Sequence, residues 1–132
     1  MNAINKSVNS KLEQERGKSA FEEAKILFAN GKYDGAVSRG YYAAFHYACA
    51  VLLSQGLEAR SHRGLQRLFH LHFIRTKIFD EEIGVILGHA QKAREEADYY
   101  PEITFSEKMA RSRLNEIEGF VAQMRKFLKK TA

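Results

Sequence analysis

An all-α antiparallel bundle of about five helices is the fold class this sequence predicts, and three observations lead there. Apolar residues recur at three- and four-residue intervals along nearly the whole 132-residue chain. No alternating apolar and polar run of strand type stands out. Proline occurs once, at Pro101, so little interrupts a helix. The connections between helical stretches are short, which makes sequential helices antiparallel neighbours.

The first helix is expected from about Asn9 to Ala29. It carries Leu12, Phe21, Ala24, Leu27 and Phe28 as its apolar stripe and stops at Asn30-Gly31. Asp34 is a candidate cap for the second helix, which runs to Gln55 and ends at Gly56. Ser61 caps a third bearing Leu65, Leu68, Phe69 and Phe73. Asp80, followed by Glu81 and Glu82, marks the start of a fourth, because acids favour the positive end of a helix dipole. That helix carries Ile83, Ile86, Leu87, Ala90, Ala93 and Ala97 and breaks near Tyr100-Pro101. Ser106 caps a long last helix, whose stripe of Ala110, Leu114, Ile117, Val121, Met124 and Leu128 alternates four and three.

Residues 1–132 suit one domain, with residues 1–10 read as a flexible N-terminal arm. An apolar fraction of 45% and a charged fraction of 28% exclude a disordered chain. Cys49 is the only cysteine, so no intramolecular disulfide forms. The start, Met1 to Lys6, lacks the apolar stretch of a secretory signal. The most apolar run, Tyr41 to Leu53, is too short to span a bilayer and is interrupted by His46. A cytoplasmic protein with no membrane partner is the expectation. The net charge of +5 gives a mild bias towards anionic partners.

The second helix holds the most informative residues. At about 100° per residue, Tyr41, Phe45, Ala48 and Leu52 fall on one side as a core stripe. Arg39, Tyr42, His46, Cys49 and Leu53 fall on roughly the opposite side. That second face puts two ionisable groups on a mostly apolar surface, and something must cover it. Tyr42, Cys49 and Leu53 are therefore the expected contact residues of a homodimer. Tyr47, one residue past His46, is turned away from the Arg39 face and is expected to pack.

The run Ser38-Arg39-Gly40-Tyr41-Tyr42-Ala43-Ala44-Phe45-His46, the later Ser61-His62-Arg63-Gly64, and Ala93-Arg94-Glu95-Glu96-Ala97-Asp98-Tyr99 resemble the small stand-alone HEPN proteins of bacteria and archaea. The resemblance spans roughly Phe21 to Leu128. It implies a helical bundle that dimerises and that is often encoded beside a minimal nucleotidyltransferase. It also implies metal-independent ribonuclease activity, whose signature is an arginine followed, after roughly four to six residues, by a histidine. Arg39 and His46, with six residues between them, are the matching pair and the candidate catalytic residues.

That pair makes chemical sense. Cutting RNA without metal needs a group that moves a proton at the ribose 2′-hydroxyl, and an imidazole has a suitable pKa. It also needs fixed positive charge on the phosphate oxygens, which a guanidinium supplies in bidentate fashion. A two-fold dimer would bring two copies of the pair together. Arg60, His62, Arg63 and Arg67, around the start of the third helix, form a candidate RNA or phosphate-binding cluster. Arg94 and Asp98 are one turn apart and can pair to lock the end of the fourth helix. His70, His72 and His89 form no metal-ligand pattern, so no metal and no cofactor is called for.

Three functional readings stay open on the sequence. The first is a ribonuclease toxin regulated by a nucleotidyltransferase partner. The second is a non-catalytic HEPN module that binds such a partner or assists its nucleotide or substrate binding. The third is a helical adaptor.

Overall fold

The computed structural model describes residues 2–131. Five α-helices run through them: α1 (Ala3–Ala29), α2 (Tyr33–Ser54), α3 (His62–Phe69), α4 (Glu81–Tyr99) and α5 (Glu107–Thr131). A π-helical stretch, His70–Ile74, prolongs α3. The bundle expected from the apolar periodicity is the bundle observed.

The helices α1 and α2 form an antiparallel hairpin, turned at Gly31 with a φ of 74°. Its register reads off a ladder of contacts, Glu23 to Arg39, Glu13 to His46, Ser10 to Ala50 and Lys6 to Gly56. The first helix begins at Ala3, so residues 3–10 are helix where an arm is expected. The reason lies across the hairpin. The buried Ser10 hydroxyl donates to the Ala50 carbonyl at 2.8 Å, and Lys6 Nζ donates to the Gly56 carbonyl at 2.7 Å. Leu12, read as part of the stripe, is 50% exposed. The buried line of α1 is instead Ser10, Gly17, Ala20 and Ala24, small residues that let the two helices approach closely. A Cβ on Gly17 would sit 2.6 Å from the Tyr47 ring, and Tyr47 is buried, as its packing role requires.

Helix α2 runs through the centre of the molecule and meets α1, α3, α4 and α5. Tyr41, Ala48 and Leu52 are fully buried, as the stripe predicts, whereas Phe45 is only half-buried and packs against the core from outside. Gly40 marks the crossing with α5. A Cβ there would lie 2.8 Å from Leu114 Cδ2 and 2.9 Å from Ile117 Cδ1, both on buried side chains. A glycine inside a helix costs about 1 kcal/mol relative to alanine, and the close crossing is what requires it. Gly40→Val is expected to destabilise the fold by about 1–3 kcal/mol through overpacking. A urea titration checks this, and unchanged stability would show that α5 yields freely.

The remaining core is aromatic. Phe69 stacks on Phe73 and Phe79, with ring centroids 5.5 and 5.8 Å away, and meets Phe120 at 5.8 Å. The apolar spacing of the third helix predicts α-helix through Phe73. The helix widens instead, with Arg75 N–H donating to the His70 carbonyl five residues back at 2.9 Å. A positive φ at Lys77 then turns the chain, and Phe79 N–H closes on the Phe73 carbonyl at 2.9 Å. The wider turn and the reversal together seat Phe79 on Phe69 and Phe73.

Two capping expectations hold as hydrogen bonds: Ser61 Oγ accepts from Gly64 N–H at 2.9 Å, and Ser106 Oγ from Met109 N–H at 3.2 Å. Asp34 differs. It lies within the first turn of α2 behind Lys32, and its Oδ1 accepts from Phe105 N–H at 2.9 Å, pinning the α4–α5 connection. Asp80 stands at the N-cap of α4, but its side chain makes no capping bond. Every residue of the expected α5 stripe is buried, with Phe120 added. Among the described residues, no helix is long and apolar enough to cross a membrane.

Candidate functional site

Arg39 and His46 share one face of α2, two turns apart, and each meets a carboxylate of α1. Arg39 Nη2 lies 3.4 Å from Glu23 Oε1, and the Arg39 side chain is 37% exposed. His46 Nδ1 lies 2.6 Å from Glu13 Oε2, with the two side chains 18% and 27% exposed. An ionised carboxylate only accepts, so the neutral imidazole carries its proton on Nδ1 and keeps a lone pair on Nε2. Tyr42 lies between the two residues. Its ring is 5.1 Å from Arg39 Cζ and 6.5 Å from the His46 ring. Neither Glu13 nor Glu23 was singled out in the sequence, because their relevance depends on the hairpin register. Their presence on the helix preceding the Arg-His face was the only available signal.

His62 is held in the opposite tautomer. Its Nδ1 lies 2.5 Å from the Tyr41 hydroxyl. Tyr41 is fully buried, and burial pushes its phenol well above the usual range, so it stays protonated and donates. The neutral His62 ring therefore carries its proton on Nε2. Phe45 packs on this ring at 4.6 Å. Burial first, and then the Arg94 cation, hold His62 below the ordinary imidazole pKa, against an opposing pull from Glu95.

A pH dependence of stability follows. The folded state resists protonation of His62, whereas the unfolded chain takes up a proton near the ordinary value of about 6.5. The unfolded state then binds more protons, so this contribution to stability is present above about pH 6.5 and is lost as pH falls below it. His62→Asn keeps an acceptor for the Tyr41 hydroxyl and does not titrate. Its Tm, followed by circular dichroism, is expected to drop less than that of wild type between pH 7 and 5. Parallel curves would remove His62 as the cause.

Arg94 of α4 adjoins this cluster. It is 7% exposed, and its Cζ lies 5.3 Å from the Tyr41 ring, 5.8 Å from Tyr42 and 5.6 Å from Tyr99. The expected partner, Asp98, is 3.9 Å away and accepts from the Ser38 hydroxyl at 3.2 Å. The expected cluster at α3 divides. His62 turns towards α2, while Arg60, Arg63 and Arg67 are exposed. Arg63 lines an open cleft of about 370 Å³ with Gln66, Gln91, Lys92 and Glu95.

The face assigned to a dimer is largely covered within the chain by α1. Leu53 is buried, and Tyr42 and Cys49 are half-buried. A cleft of about 360 Å³ remains there, lined by Leu12, Glu13, Arg16, Cys49 and Leu53. Burial, and then Glu13, push the Cys49 thiol up to about 12, which leaves it unreactive at neutral pH. Among the described residues, no three His, Cys, Asp or Glu side chains are grouped to hold a metal ion.

A family profile for the HEPN domain matches residues 13–127. The chain belongs to the HEPN family. This HEPN chain is also similar to "Putative toxin MJ0605" of Methanocaldococcus jannaschii, with 35% identity over 96% of this chain and 95% of the relative. It is 30% identical to a second protein of that organism, "Putative toxin MJ0142", over 86% of this chain and 78% of the relative. A "UPF0332 protein" of Thermotoga maritima is 29% identical over 86% of each chain.

Proposed function

We propose that this HEPN protein is a metal-independent endoribonuclease of a toxin–antitoxin pair, restrained by a nucleotidyltransferase-type partner. One observation carries the reading. Arg39 and His46 stand on one face of α2, with the imidazole oriented by Glu13 so that Nε2 keeps its lone pair. Such an imidazole can accept the proton of a ribose 2′-hydroxyl. The 2′-oxygen then bonds to the adjacent phosphorus, the bond from phosphorus to the 5′-oxygen breaks, and a proton goes to that leaving oxygen. The products are a 2′,3′-cyclic phosphate and a 5′-hydroxyl. Arg39 offsets the charge that gathers on the phosphate oxygens in the transition state. The similarity to two proteins named as putative toxins supports the same reading. In the proposed homodimer, a second copy of His46 protonates the leaving oxygen. The cleft at Leu12, Cys49 and Leu53, which Glu13, Arg16 and Glu58 also line, is the part of that face left open to a second copy.

A second reading, a non-catalytic HEPN module that binds the partner, has one observation in its favour. Both ionisable residues already meet carboxylates of the same chain, as purely structural groups would. The test separates the two readings. Purified protein is incubated with single-stranded RNA and a chelator, and the chain is expressed with and without any nucleotidyltransferase found in a neighbouring reading frame. The expected result is RNA with cyclic-phosphate ends, together with growth arrest that the partner relieves. Intact RNA and normal growth would end the enzyme reading and leave the partner-binding module.

A further inference from the structure

Among the described residues, Arg94 is the only buried charged side chain, at 7% exposed. A guanidinium carries five N–H donors and cannot shed its charge. The donors of Arg94 are poorly met. Nη1 reaches the Tyr99 hydroxyl at 3.3 Å, and the Asp98 carboxylate at 3.9 Å is beyond hydrogen-bond range. Nε is buried with no partner. The rings of Tyr41, Tyr42 and Tyr99 attract the cation through their faces but accept none of its in-plane donors.

Within residues 2–131, two buried side-chain polar atoms lack a hydrogen-bond partner: Nε of Arg94 and Nε of Arg39. Both guanidinium groups lie against the Tyr42 ring, at 5.8 and 5.1 Å. These two unmet side-chain donors thus both lie beside one half-buried tyrosine. His62 adds a third donor beside it, its Nε2–H, with its ring 6.3 Å from that of Tyr42. The ion pair with Asp98 at 3.9 Å balances the charge of Arg94 but satisfies none of its donors. Two cationic forks gathered over one aromatic ring match a phosphate ester, whose unbridged oxygens accept from both.

We propose that Arg94 is a second phosphate-holding residue, and that Arg39, Arg94 and the Nε2–H of His62 form one phosphate-ester site around Tyr42. The site shares Arg39 with the ribonuclease reading but does not need cleavage to occur. Its ligand is a phosphate ester, either the phosphodiester of single-stranded RNA or the phosphomonoester of a free mononucleotide.

Binding is measured in the full chain carrying His46→Ala, with chelator, so that RNA survives the assay. Fluorescence anisotropy follows a labelled oligoribonucleotide, and AMP serves as competitor. Arg94→Met is expected to weaken RNA binding at least tenfold and to lower the salt slope by about one. Arg94→Lys, which keeps the charge but loses the fork, is expected to recover only part of the affinity. Competition by AMP at millimolar concentration would assign the site to a nucleotide, and failure to compete would assign it to the RNA backbone. Folded Arg94→Met with unchanged affinity and salt slope would overturn the proposal, as would a wild-type-like Arg94→Lys if Arg94→Met does not fold. Absence of both RNA and AMP binding would overturn it as well. The two readings fail separately. Arg94-dependent binding without any cleavage by the His46 protein removes the ribonuclease alone. Cleavage by Arg94→Met with unchanged KM removes this site alone.

Discussion

His46→Ala and Arg39→Ala are each expected to lower RNA cleavage by about 10²–10⁴-fold, the usual contribution of a positioned proton-transfer or charge-stabilising group. Growth inhibition should fall with it. His46 is half-buried at the rim of the α1–α2 hairpin, outside the main core, so the variant should remain folded. Glu13→Ala tests the orienting carboxylate. Without it the ring loses its 2.6 Å partner and the tautomer is no longer held, so kcat should drop while KM changes little. The measurement is cleavage of a defined single-stranded RNA under chelator, with folding checked by circular dichroism. Activity in His46→Ala equal to that of wild type would remove the imidazole from the mechanism.

Phe69→Ala is expected to cost about 3–5 kcal/mol, a large part of the roughly 5–15 kcal/mol that holds a domain of this kind folded. The ring is 1% exposed and touches Phe73, Phe79 and Phe120, which the chain brings together from the π-helical stretch, the turn before α4, and α5. Its removal opens a cavity that three rigid rings cannot refill. Phe45→Ala should cost clearly less, because Phe45 is half-buried and lies over His62 outside the closed core. Urea denaturation of both variants gives the comparison. Equal losses would mean that the aromatic cluster at α2 bears as much of the stability as the phenylalanine core.

The Arg-His face of α2 was legible from spacing alone, and its place in a helix needed nothing beyond the three-and-four recurrence around it. What covers that face was not legible. An apolar surface with Tyr42, Cys49 and Leu53 on it suggests a second subunit, yet α1 lies on much of it. The residues that let α1 do so are Gly17, Ala20 and Ala24, which carry too little side chain to register as a stripe. His62 was grouped with its exposed arginine neighbours, although its ring is turned to Tyr41 across the bundle. Spacing shows Arg94 only as one half of a local pair with Asp98, and its three tyrosine neighbours come from the fold.

The sequence by itself determined the five-helix bundle, the capping roles of Ser61 and Ser106, the α5 stripe and the presence of Arg39 and His46 on a common face. These depend on patterns within single helices, where relative positions follow from helix geometry. Only the tertiary structure decided that Glu13 orients His46, that Tyr41 sets the tautomer of His62, and that Arg94 shares the Tyr42 ring with Arg39. Each of these joins residues on different helices. The separation of such residues depends on how closely α1, α3 and α4 approach α2, and along α1 small, featureless side chains control that distance.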